Sequence, residues 1–131
     1  MASYRTPLGR ARGLGSAGSG VGHFIGQRLS AAALIFLGAW ALWSAIVVAR
    51  GDYAAAVAWL RSPIDLGLAT LFTVAAFYHM QVGMRVIVED YFPQQGRRTL
   101  LLIASLFVCW GGAALSILCL MKVAFGGGGA F

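Results

Sequence analysis

Leu66-Gly67-Leu68-Ala69-Thr70-Leu71-Phe72-Thr73-Val74-Ala75-Ala76-Phe77-Tyr78-His79-Met80-Gln81-Val82-Gly83-Met84 carries no acidic or basic side chain except His79. A bilayer-spanning helix needs about 20 predominantly apolar residues, and soluble core helices rarely run so far without a charge. Two further runs, 29–49 and 99–121, contain no charge at all. The chain has 131 residues, of which 60% are hydrophobic and 11% charged. A soluble domain carries about 25% charged residues, so this composition excludes that class. The sequence therefore predicts an all-α membrane protein with three transmembrane helices and a cytoplasmic N-terminal arm. The spans are expected at about 29–49, 64–88 and 99–123, after a polar arm and interfacial lead-in (1–28) and before a flexible Gly-rich tail (124–131).

The net charge of +6 does not form a nucleic-acid surface, because the basic residues flank the spans. Arg5, Arg10, Arg12 and Arg28 precede the first span, Arg50 and Arg61 follow it, Arg85, Arg97 and Arg98 surround the second turn, and Lys122 closes the third. With the N-terminus inside, seven basic residues lie inside against three outside. The positive-inside rule then places the N-terminus and the turn at Asp90-Tyr91 in the cytoplasm, or in a mitochondrial matrix. The arm has no apolar centre and so is not a secretory signal; it has the Arg-rich, acid-free composition of a mitochondrial transit peptide. The preferred reading is a cytoplasmic arm in a bacterial inner membrane, with the mitochondrial inner membrane as the alternative.

Several chemistries find no support. The Gly-rich stretch 15–22 lacks the Gly-Lys-Ser/Thr ending of a phosphate loop. No Ser-His-Asp set, HExxH or CxxC is present. Cys109 and Cys119, ten residues apart, would stand about 15 Å apart on one helix, too far for a disulfide. They read as small packing residues. Ser62-Pro63 suits the capped start of a helix, Pro93 suits a stop, Trp59 an interfacial anchor, and Gly111-Gly112 a close-packing site.

His79 is the chemical focus. On a helix it shares a face with Gly83, Val86 and Asp90, and Asp90 stands about 16 Å further along the axis. If Asp90 lies at the membrane surface, His79 lies near the midplane, where an imidazole is costly unless bonded, paired or bound to a metal. Ala75, Ala76 and Gly83 keep its surroundings small, which suits either a flat ligand or another helix. A neutral imidazole at that depth is a common axial ligand of haem iron. The chain has two histidines, and His23 lies near the surface, so a six-coordinate haem would need a partner's ligand. Tyr91, at the boundary, is either a belt tyrosine or a phenol that donates to a quinone carbonyl, with Asp90 beside it. His23, Gln27 and Arg28 form either an interfacial collar or a polar cluster near an anionic cofactor edge or a quinone.

The string His79-x3-Gly83-x6-Asp90-Tyr91, closing the second of three spans, resembles the hydrophobic membrane anchor subunit of succinate dehydrogenase, the smaller anchor of respiratory complex II. The lead-in Ser19-Gly20-Val21-Gly22-His23-Phe24, followed by Gln27-Arg28, is similar to the same family. The resemblance implies that His79 is an axial ligand of haem b, the opposite histidine coming from the larger cytochrome b anchor subunit. It implies that Tyr91 hydrogen-bonds ubiquinone and Asp90 shapes that pocket. Arg28 would lie near the haem propionates or the quinone pocket, with His23 close to the propionates. The iron–sulfur and flavoprotein subunits would dock over the Asp90-Tyr91 turn, and this chain would not touch succinate. The rivals are the anchor of a related quinol:fumarate reductase, and a non-redox scaffold or assembly protein whose histidine only hydrogen-bonds across helices.

Overall fold

A computed structural model of the chain describes residues 6–13 and 20–126. The expectations for most of the Gly-rich stretch before residue 20, and for the tail beyond 126, fall outside the described residues. Among the described residues the structure is helical, with no strand. α1 (Pro7–Ala11) is a short turn in the arm. α2 (Gly20–Ala49), α4 (Pro63–Tyr91) and α5 (Gln95–Phe125) are the three helices long and apolar enough to span a membrane. At 30, 29 and 31 residues, each is about 45 Å long, which exceeds a hydrocarbon core of about 30 Å. They therefore run on into the headgroup zone.

That excess length explains where the expected span limits and the helices differ. The lead-in 20–28 belongs to the same continuous helix as the first span. Charge ends near residue 28, but helical hydrogen bonding is local and nothing between Gly20 and Ala49 interrupts it. At the far end of α2, the short connection to the second span holds α3 (Tyr53–Arg61). Asp52 caps it, its carboxylate accepting from the Ala55 N–H at 2.8 Å, and the Ala-rich segment has high helix propensity. Ser62 serves two helices. Its N–H donates to the Trp59 carbonyl at 3.1 Å, and its hydroxyl accepts from the Asp65 N–H at 3.4 Å. Pro63 then opens α4 as expected. At the other end Phe92, the residue before Pro93, is extended (φ −115°, ψ 92°), since proline disfavours the helical region for its predecessor.

α4 stands between its neighbours. It packs on α2 and on α5; among the described residues the backbones of those two helices stay apart, though Leu120 of α5 lines a cavity together with Trp40 and Ser44 of α2. The chain reverses at Phe92–Gln94, so His23 of α2, the end of α4 and the start of α5 share one end of the assembly. α3 and the end of α5 share the other, where Arg61 donates to the Gly126 carbonyl at 3.2 Å. Trp59 stacks on Trp40 there, with centroids 5.8 Å apart, beside a cavity of ≈ 330 Å³ lined by Trp40, Ser44, Phe72 and Thr73. A row of large apolar side chains remains outside, including Leu29, Phe36, Trp43 and Phe107. Their exposure is stable only against lipid or another subunit.

The α4–α5 contact depends on Gly112. A Cβ there would meet the Phe77 ring at 2.7 Å, whereas Gly111 faces no heavy atom of the chain within 4 Å. Of the two glycines expected to allow close packing, one does so within this chain. Gly112→Val should destabilise the assembled protein by about 1–3 kcal/mol through overpacking. Gly111→Val should be nearly neutral in the same thermal-unfolding assay. Equal melting temperatures for the two variants would contradict this packing account.

Candidate functional site

His79 sits on α4, twelve residues before Tyr91, about 18 Å along the axis. It is half-buried and faces α2, where Ser30 is only 6% exposed. Ser30 Oγ lies 3.0 Å from His79 Nδ1 and 3.0 Å from the Gln27 carbonyl oxygen of its own helix. One residue away, Tyr78 crosses to α2, and its hydroxyl occupies the space a side chain at Gly26 would need. Glycine at 26 thus brings the two helices together beside His79. One turn further along α4, a Cβ built on Gly83 would meet nothing within 4 Å.

A second polar contact closes the same pair of helices nearer the surface. Arg85 Nη1 lies 2.9 Å from His23 Nε2. A guanidinium can only donate, so the His23 nitrogen accepts and its proton is on Nδ1. Arg85 Nε also donates to Glu89 Oε1 at 2.9 Å, one turn further along α4. Arg85 and Glu89 are both 42% exposed at their side chains, so this pair orients the guanidinium more than it stabilises the fold.

The five residues singled out from the sequence fall into three places. His79 lies within the bilayer-spanning part of α4. Asp90 and Tyr91 are exposed at the end of that helix, Tyr91 to 77%. His23 lies at the same end, engaged by Arg85. Arg28 stands about 140° around α2 from His23 and stacks over its own Phe24, its guanidinium carbon 5.3 Å from the ring centroid. The described chain therefore does not join Arg28 to His23, nor His79 to Tyr91. The cavity lined by Trp40 and Trp59 contains none of the five. Among the described residues no three of His, Cys, Asp and Glu converge as a metal site, so His79 is a lone imidazole.

Two residues of this region, Ser30 and Arg85, are not marked out as site residues by the sequence. The signal that finds them is axial spacing. His23 and Ser30 are seven residues apart on α2, Arg85 and His79 six apart on α4. At about 1.5 Å per residue the two spacings match within about 2 Å. Two antiparallel helices with those contacts are in a single register.

Comparison with known proteins agrees with this architecture. Residues 2–115 match the succinate dehydrogenase/fumarate reductase transmembrane subunit family. Among its relatives is a succinate dehydrogenase hydrophobic membrane anchor subunit from Paracoccus denitrificans, 32% identical over 126 residues, covering 94% of this chain and 95% of the relative. Another protein of that name, from Rickettsia bellii (strain RML369-C), is 31% identical over 101 residues, covering 77% and 81%. A third, from Rickettsia felis (strain ATCC VR-1525 / URRWXCal2), is 33% identical over 91 residues, covering 68% and 75%. No solved structure gives a significant match. With that length of agreement and three membrane-length helices, the chain belongs to the succinate dehydrogenase/fumarate reductase transmembrane subunit family.

Proposed function

We propose that this chain is the smaller membrane anchor of a succinate:quinone oxidoreductase, holding one axial ligand of haem b and part of a ubiquinone pocket. The observation that carries the proposal is His79: a lone, half-buried imidazole in a spanning helix, with open space over Gly83 one turn away. Those features would suit haem, whose iron would take this imidazole and a second one. The second imidazole would come from a cytochrome b subunit, because His23 is at the surface end and engaged by Arg85. Haem held there would supply a one-electron store.

The rest follows from the chain's own groups. Tyr91 presents a phenol at the membrane boundary, where it can donate to a ubiquinone carbonyl while its ring stays against lipid. Reduction of ubiquinone takes up two electrons and two protons, and the Asp90 carboxylate lies beside Tyr91 at the aqueous edge, able to pass protons to the reduced oxygens. His23, held by Arg85, gives that end of the bundle polar groups suited to propionates. Arg28, on a different side of α2, would reach propionates or quinone only across a subunit interface. Succinate is oxidised elsewhere, with electrons arriving through flavoprotein and iron–sulfur subunits that dock over the Asp90-Tyr91 end. That end is cytoplasmic in this reading, in a bacterial inner membrane.

A second reading has one observation in its favour. The Ser30–His79 contact is what a histidine that only ties two helices together would make, as in a non-redox scaffold. A dithionite-reduced minus oxidised spectrum of the purified complex separates the two. A low-spin b-type band together with succinate-driven quinone reduction is expected. An intact complex with neither would leave the scaffold reading, and quinone reduction without haem would favour a haem-free fumarate-reductase-type anchor.

A further inference from the structure

Serine has one hydroxyl proton and two acceptor lone pairs. Ser30 Oγ stands 3.0 Å from the Gln27 carbonyl oxygen, which can only accept, so the hydroxyl proton is used there. The same oxygen faces His79 Nδ1 at 3.0 Å, and that contact is then a hydrogen bond only if Nδ1 carries the imidazole proton. In a neutral imidazole the lone pair is thereby left on Nε2, which has no hydrogen-bond partner among the described residues. Nδ1 and Nε2 point to opposite sides of the ring, so tying one to α2 directs the other away from it. The arrangement is sheltered, since Ser30 is 6% exposed, and a low-dielectric site strengthens a hydrogen bond.

We propose that Ser30 is a positioning residue for His79: it fixes the imidazole's tautomer and ring plane so that a bare Nε2 faces the haem iron. The inference rests on the ligand reading of His79. It assigns Ser30 a task beyond helix packing, because an N–H donated to an acceptor raises the donor strength of the opposite nitrogen. A more basic imidazole favours the ferric state, so Ser30 holds the haem potential down.

The test uses the complete complex with Ser30→Ala, the near-isosteric Ser30→Cys and the hydroxyl-retaining Ser30→Thr. Potentiometric titration and low-temperature electron paramagnetic resonance of the haem are the readouts, with dye-linked succinate oxidation as the check on assembly. Ser30→Ala and Ser30→Cys should shift the haem midpoint upward and move the largest g-value, with dye-linked activity unchanged. Ser30→Thr should return both to the wild-type values. Wild-type potential and g-values in the alanine and cysteine variants would overturn the inference, as would a threonine variant that behaves like alanine. A wild-type complex without haem would overturn the ligand reading, and this inference with it. Should the alanine variant not assemble, the cysteine variant decides.

Discussion

Replacing His79 by alanine is expected to abolish the low-spin b-type band of the intact complex. The chain has two histidines, and the other is engaged at the surface end by Arg85, 2.9 Å away. No second imidazole of this chain can therefore take over at that depth. Haem is then lost, or retained by one ligand from a partner subunit in a high-spin form. The substitution also removes the bond to Ser30, a loss of about 1 kcal/mol, small against the packing of α4 on α2 and α5. Dye-linked succinate oxidation should therefore persist at the wild-type rate. A variant complex with an unchanged low-spin spectrum would remove His79 from the coordination sphere.

Tyr91→Phe is expected to slow succinate-to-ubiquinone turnover and leave dye reduction alone. Tyr91 is the last residue of α4 and is 77% exposed within this chain, so losing its hydroxyl breaks no internal contact of the fold. The phenylalanine ring keeps the apolar part of the side chain in place. On the proposed role of Tyr91, what disappears is one neutral hydrogen bond to the quinone, worth about 1 kcal/mol, or about fivefold in kcat/KM. Haem spectra should be unaltered, because Tyr91 lies about 18 Å along the helix from His79. Equal losses of quinone and dye activity would instead mean faulty assembly.

Much of the architecture is legible in the sequence because it is governed by local rules. Three charge-poor runs predict three spanning helices. Ser62-Pro63 marks the start of α4 and Pro93 its stop, since caps and proline sterics act within a few residues. α3 is less visible: nine residues between two long spans look like a connection unless Asp52 is weighed as a cap. The candidate site divides in the same way. His79, Asp90 and Tyr91 stand out through their positions on one helix. Ser30 and Arg85 do not, because their meaning lies in partners 49 and 62 residues away. Such pairs emerge only once α2 and α4 are set antiparallel and their depths compared. Arg28 shows the opposite error of inference. Its nearness to His23 in sequence suggested a shared cluster, but a step of five residues turns it to a different side of the helix.

The position of α4 between two helices whose backbones stay apart among the described residues has a consequence for biogenesis. A closed bundle can hide its polar and small-residue surfaces by folding on itself as soon as its last segment is inserted. In this chain large apolar side chains stay exposed on all three long helices, so insertion of α5 does not cover them. If the chain is the anchor proposed above, a newly made copy leaves the ground beside Gly83 to lipid until a second membrane subunit covers it. Orphaned copies are thus marked by the same surface that the finished complex conceals. On the proposed reading, synthesis in step with the partner would spare the membrane such uncovered copies.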